Sequence, residues 1–197
     1  MKMPPKIIGI SGTNGSGKDS VGKLLENKHN YLFVSVTDIL RQDLVSRGLP
    51  TSRENMRSLS AKWRRESGLG VLVDKAKTIF DAQPGKYAGL AIASLRNPGE
   101  ADSVHGYGGL VLWVDADPKL RYKRVASAQR GEQRAVDDNK TFAEFLADEA
   151  AEMYRPEGGD SATLSLSDVK DKSDLFLTND GSNLDELKHQ LDELLGF

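Results

Sequence analysis

The run Gly12-Thr13-Asn14-Gly15-Ser16-Gly17-Lys18 follows directly on the apolar stretch Ile7-Ile8-Gly9-Ile10 and leads into a segment with Val21, Leu24 and Leu25 at helical spacing. A short buried strand, a glycine loop ending in lysine and an amphipathic helix form a unit that belongs in an α/β fold, with the strand's carboxyl end open to a ligand. The three glycines let the backbone wrap until successive N–H groups face phosphate oxygens. Lys18 adds a mobile positive charge, and the helix behind it adds its N-terminal dipole. Gly12, Gly17 and Lys18 match the Walker A spacing, so Gly12, Thr13, Asn14, Gly15, Ser16, Gly17 and Lys18 are expected to hold the phosphates of a nucleoside triphosphate. One position departs from that template. Asp19 stands where Ser or Thr is usual, and Ser20 follows it. Because Mg²⁺ takes oxygen ligands and keeps several waters, Asp19 is a candidate metal ligand, with Ser20 as the alternative.

Further along the chain, Tyr31–Val36, Tyr87–Ala93, Leu110–Asp115 and Asp174–Asn179 read as strands. Two of them, Tyr87–Ala93 and Leu110–Asp115, are continuous apolar runs of the kind buried on both faces. Helices are expected between them. One is capped by Thr37 or Asp38 and runs to about Arg47; a basic one opens at Thr51-Ser52 and ends near Gly68 and Gly70. Others span about Val71–Ala82, the stretch from Pro118, about Thr141–Met153, and a final helix whose leucines 184, 187, 191, 194 and 195 face the core. Strands alternating with helices predict a parallel sheet covered on both sides.

The 197 residues suffice for one buried core, and no Pro/Gly/Ser-rich linker divides them. A net charge of -2 argues against a general nucleic-acid binder. With no cysteine there are neither disulfides nor thiolate metal sites. No apolar stretch approaches a membrane span, so the expectation is a cytoplasmic protein without membrane partners, monomeric or weakly self-associating. His29, His105 and His189 are scattered and show no ligand spacing.

Phosphoryl transfer needs positive charge on the transferred group and water kept away from it. Arg124, Arg130 and Arg134 lie within eleven residues of one another in a basic stretch and are the candidates for a closing, catalytic role. Asp38, at the end of the second strand, is placed to present a carboxylate to an acceptor hydroxyl, and Arg41, one turn later, a guanidinium to an acceptor phosphate. Arg65 and Arg96 are further candidates for acceptor binding, with Glu100 pairing with Arg96 or capping the next helix.

The loop Gly12–Lys18, the Asp38-Ile39-Leu40-Arg41 segment, the basic stretch, and the ending Ser173 to Ser182 together resemble the dephospho-coenzyme A kinase and nucleoside monophosphate kinase superfamily over nearly the whole chain. The strand, Asn-Asp-Gly-Ser turn and Leu-rich helix at the end look like dephospho-coenzyme A kinases. Residues Arg41 through Gly70 and Arg96 to Glu100 look more like divergent archaeal-type nucleotide kinases. The resemblance implies a three-layer α/β/α P-loop NTP hydrolase fold with a five-stranded parallel sheet and a helical lid, using ATP and Mg²⁺. It implies a single domain with core segments at about 1–50, 84–128 and 173–197, acceptor-binding helices at about 38–82 and a lid at about 121–153. Asp38 would orient the acceptor or act as base, and Asn179, Asp180 and Gly181 would lie near the adenine. Two features depart from these relatives: Ala93-Ser94 replaces an Asp-Gly pair, and the His-Pro segment of bacterial dephospho-coenzyme A kinases is lacking. The acceptor is therefore either dephospho-coenzyme A or a nucleoside or deoxynucleoside monophosphate; the other reading is a nucleotide-binding regulatory ATPase without a small acceptor.

Overall fold

A computed structural model describes residues 4–127, 140–181 and 183–197. Five strands, β1 (Ile7–Gly12), β2 (Tyr31–Ser35), β3 (Gly89–Ala93), β4 (Leu110–Asp115) and β5 (Leu175–Thr178), form one sheet in the order β2-β3-β1-β4-β5. Every pairing is parallel, and β1 sits in the centre with Ile8 level with both Ala91 and Leu110.

Side-chain alternation splits the core into two layers. Ile8, Ile10, Ala91, Ala93, Leu112, Val114 and Leu177 face α1 (Lys18–His29) and the C-terminal helix 184–195, which contributes Leu187, Leu191 and Leu195. Ile7, Leu90, Ile92 and Val111 face the opposite layer, built by α2 (Val36–Ser46), α3 (Arg53–Ser67), α4 (Val71–Asp81) and α5 (Pro98–Gly106). Gly22, inside α1, leaves room for the Phe33 ring, which a Cβ there would approach to 2.1 Å. Three more helices complete the described chain before the last one: α6 (Pro118–Ser127), α7 (Phe142–Met153) and α8 (Leu166–Asp171), which makes the C-terminal helix α9 (Leu184–Leu195).

The sheet and its two helical layers match the expected architecture, and the differences are local. Neither Thr37 nor Asp38 caps α2: β2 runs straight into the helix, with Ser35 at the N-cap, so both residues lie inside the first turn. Ser52 does cap α3, accepting from the Asn55 amide at 3.2 Å. The third strand starts at Gly89 rather than Tyr87. Leu184, expected in the core, is exposed at the start of α9. The short α8 was not foreseen.

Away from the sheet, the fold is held by a buried ion pair. Arg64 Nη2 donates to Glu100 Oε1 at 2.7 Å, with the two side chains 2% and 0% exposed. Arg64 Nη1 also donates to the Ala162 carbonyl at 2.9 Å, and Glu100 Oε2 accepts from the Arg96 and Asn97 amides at 2.7 and 3.2 Å. Asn97 adds bonds to the Ser161 and Thr163 carbonyls, both at 2.8 Å. One carboxylate thus ties α3, the turn after β3 and the segment before α8 together. Burying two charges is costly, so the pair contributes less than its geometry suggests, but removing one partner strands the other. Glu100→Ala is expected to lower unfolding free energy by about 3–5 kcal/mol in equilibrium urea denaturation, and Glu100→Gln, which keeps the shape and one acceptor, by less.

Candidate phosphoryl-transfer site

The carboxyl ends of β1, β3 and β4 meet at one edge of the sheet, and the glycine loop turns back over them. Gly12 leaves β1 at φ 138°, so close to Val114 that a Cβ would lie 1.9 Å from its carbonyl oxygen. Only glycine fits there. The loop is then tied down at four points. Thr13 Oγ1 donates to Asp115 Oδ1 at 2.6 Å, Ser16 Oγ to the Thr13 carbonyl at 2.9 Å, Arg121 Nη1 to the Asn14 carbonyl at 3.2 Å, and Asn179 Nδ2 to the Ser16 carbonyl at 2.8 Å.

Lys18, at the first position of α1, folds back on the loop, its Nζ donating to the Gly12 and Thr13 carbonyls at 2.9 and 2.5 Å. Desolvation, with Arg96 and Arg121 nearby, lowers its pKa from the ordinary 10.5 to about 8, against the opposing pull of Asp19 and Glu152. An anion arriving here would offset the desolvation and repulsion that the buried ammonium bears and raise its pKa again. Asp19 is exposed on the first turn of α1, and Ser20 lies beside it, half-buried.

Arg96 follows β3 and Ser94 at the same sheet edge. Ser94 holds φ 71°, a left-handed conformation that costs a residue with a side chain of order 1 kcal/mol and that glycine takes freely. Arg96 Nη1 donates to Glu152 Oε2 at 2.6 Å, and Arg57 Nη2, from α3, donates to Glu152 Oε1 at 2.8 Å. Arg53 stands 4.0 Å from the same carboxylate. Burial pushes the Glu152 carboxyl up, but Arg96, Arg57 and Arg53 outweigh it and hold the group below its ordinary range. Arg121, buried under the loop, donates through Nε to the Ala116 carbonyl at 2.8 Å and through both terminal nitrogens to Glu149, the Nη2 bond being 2.9 Å.

The sequence-derived candidates divide. Lys18, Asp19 and Arg96 converge on the loop. Arg65 does not: it is exposed and donates to Asp160 Oδ2 at 2.7 Å, while the neighbouring Arg64 turns inward. Asp38 and Arg41 pair with each other on the open face of α2, so the carboxylate read as a base is held by the guanidinium read as a phosphate ligand. Arg124 is not directed at the loop either, because its two terminal nitrogens donate to the Asn179 and Gly181 carbonyls at 2.9 and 3.1 Å. It shapes the turn after β5. Asn179, read as an adenine neighbour, is buried behind Gly17 as a brace for the loop. Asp180 accepts from the Asp117 amide at 2.6 Å. Arg130 and Arg134 lie outside the described residues. Sequence reasoning missed Arg53, Arg57, Asp115, Arg121, Glu149 and Glu152. For Arg121 a local signal existed, its place one turn into a helix that follows a buried strand.

The folded chain depresses the Lys18 pKa, so between about pH 8 and 10.5 the unfolded chain binds more protons and ligand-free stability rises with pH. Below pH 8 both states are protonated and the slope vanishes. Lys18→Met is expected to abolish this rise, which urea unfolding of both proteins across that window would check.

No family model matches the sequence. It is 24% identical over 181 residues to a UPF0200 protein of Methanococcus maripaludis, covering 91% of each chain. Among solved structures, a shikimate kinase from Bacteroides thetaiotaomicron superposes with a TM-score of 0.63 at 13% identity, covering 97% of this chain and 98% of that one. A shikimate kinase from Acinetobacter baumannii, solved in complex with shikimate, gives 0.54 at 13% identity over 99% of this chain and 94% of that one. The five-stranded sheet with its glycine loop and flanking helices is the P-loop kinase fold.

Proposed function

We propose that the protein is an ATP-dependent phosphotransferase that moves the γ-phosphate to a small nucleotide-type acceptor, in the manner of dephospho-coenzyme A kinase or a nucleoside monophosphate kinase. The observation that carries this reading is that Arg96 lies close to Lys18 at the loop, with Arg121 bracing the loop from beneath and Arg57 joined to Arg96 through Glu152. A switch or slow hydrolase needs phosphate contacts from its loop, whereas a transferase also needs cations on the acceptor side, and Arg57 and Arg96 would serve there.

In this reading the loop Gly12–Gly17 and Lys18 hold the donor phosphates, and Arg121 fixes the loop from below. Asp19 or Ser20 would hold Mg²⁺, which would supply charge neutralisation to the donor phosphates. Among the described residues no cluster of three or more His, Asp or Glu side chains is arranged to hold a metal. That suits an ion that arrives on the nucleotide and needs only one or two protein oxygens, and the exposed Asp19 carboxylate, with Ser20 as the alternative, is the donor set for it. Catalysis then rests on placement and charge: Arg96 and Arg57 would take charge on the transferred or accepting phosphate, and Glu100, on α5, fixes the Arg96 backbone by accepting from its amide. Asp38, tied to Arg41, suits orientation of an already ionised monophosphate better than removal of a hydroxyl proton. Arg124, Asp180 and Gly181 line the turn proposed to lie beside the nucleotide base. The described helices include none long and apolar enough to cross a membrane.

Incubation with ATP and Mg²⁺ against dephospho-coenzyme A and the common ribo- and deoxyribonucleoside monophosphates, with phosphorylated product measured directly, tests the reading. One acceptor is expected to turn over rapidly, and Lys18→Ala to lower kcat/KM by roughly 10²–10³-fold. ATP binding with no acceptor phosphorylated would favour the regulatory ATPase instead.

A further inference from the structure

The cations just assigned to phosphate are already occupied by the chain itself. Glu149 and Glu152 lie one turn apart on α7, which places them on one helix face. Glu149 takes both terminal nitrogens of Arg121, and Glu152 takes Arg96 and Arg57. The Glu152 side chain is 9% exposed, while Arg96 and Arg57 keep 33% and 49% of theirs open. The cavity left between Asn14, Arg53, Arg96, Lys140, Glu149 and Glu152 is about 30 Å³, room for a water or two and not for a phosphoryl group. A phosphoryl group reaches Arg96 from this side only if the Glu152 carboxylate leaves.

The way α7 is seated makes that departure feasible. Its fully buried side chains are Phe145, packed near Tyr122, and Glu152 itself. The helix is thus docked by Phe142 and Phe145 against Tyr122 and by ion pairs at Asp148, Glu149 and Glu152, not by an apolar stripe. Its N-terminus is capped internally by Thr141 and Glu144, so its helical form does not depend on the docking.

Resting on the phosphotransferase reading, we propose that Glu152 is a built-in competitor for the phosphate-binding cations Arg96 and Arg57, holding with a single charge the place of a phosphoryl group. A phosphoryl group at neutral pH carries up to two charges and three acceptor oxygens, so it regains more from Arg96 and Arg57 than the displaced carboxylate gives up. A monoanionic carboxylate gains nothing by the exchange. Glu152 is on this account a specificity-determining residue: it admits phosphate-bearing molecules and turns away carboxylates of similar size.

Isothermal titration with ATP and Mg²⁺ at fixed ionic strength, on wild type, Glu152→Gln, Glu149→Gln and the exposed control Glu157→Gln, tests this. Glu152→Gln is expected to bind ATP about tenfold more tightly, while Glu149→Gln, whose partner Arg121 braces the loop, and the control gain nothing. In thermal melts, inorganic phosphate is expected to stabilise wild type while acetate does not, and Glu152→Gln to respond to both. Unchanged or weaker ATP binding by a folded Glu152→Gln would overturn the proposal and leave the ion pairs structural. Failure of that variant to fold even with ATP present would overturn it too, since a group that phosphate displaces cannot be indispensable to the bound fold; folding restored by ATP would support it. Wild type that binds no ATP, or Lys18→Ala that binds it equally well, would instead sink the phosphotransferase reading.

Discussion

Everything at the open edge of the sheet depends on β1 turning over the Val114 carbonyl without a side chain in the way. At Gly12 the backbone passes so near its neighbour strand that any Cβ would force the two apart. Once that approach is made, Thr13 reaches Asp115, the Gly15 backbone rests on α6 beside Arg121, and Gly17 backs onto Asn179. Three glycines are therefore three places where another element comes within contact of the loop backbone, and flexibility is not their purpose. The loop is rigid because it is crowded.

Rigidity of the loop contrasts with the electrostatics around it. On one side, Arg64 and Glu100 form a dry pair that no solvent ion reaches, and it fixes the backbone from which Arg96 projects. On the other, Arg96 and Arg57 meet Glu152 in a half-open setting where a competing anion has access. The two kinds of ion pair differ by burial rather than by residue type. The first resists exchange because either charge alone would be stranded, and the second permits it because water and ligand can stand in for either partner.

Much of this architecture was readable from the chain. Continuous apolar runs such as Leu110–Asp115 gave strand positions to within a residue or two, because a strand buried on both faces admits little else. The cap of α3 was legible because Ser52 has the local chemistry for it, but that of α2 was misjudged because β2 and α2 share a junction with no intervening turn. Sites were legible where the signal was local, as in the loop, and obscure where it was long-range. Nothing in the sequence distinguishes Arg64 from Arg65, yet helical phase sends the first inward with Ser60 and the second to solvent. Nor can spacing reveal that Glu152 meets Arg57, 95 residues away. Arginines near a phosphate loop invite a catalytic role, and Arg124 shows that a guanidinium may equally serve as a staple for two carbonyls.

The bond from Asn179 to the Ser16 carbonyl joins residues 163 positions apart. A ribosome that has made the glycine loop has made neither β3 and β4, which flank it, nor the asparagine that braces it. The most local motif in the sequence is completed by some of the least local contacts in the fold, and topologies of that kind fold slowly. Affinity for the proposed nucleotide would thereby be an index of completed folding: a nascent or misassembled chain carries the whole motif and lacks the braced loop, and ligand present during refolding would select the finished molecule.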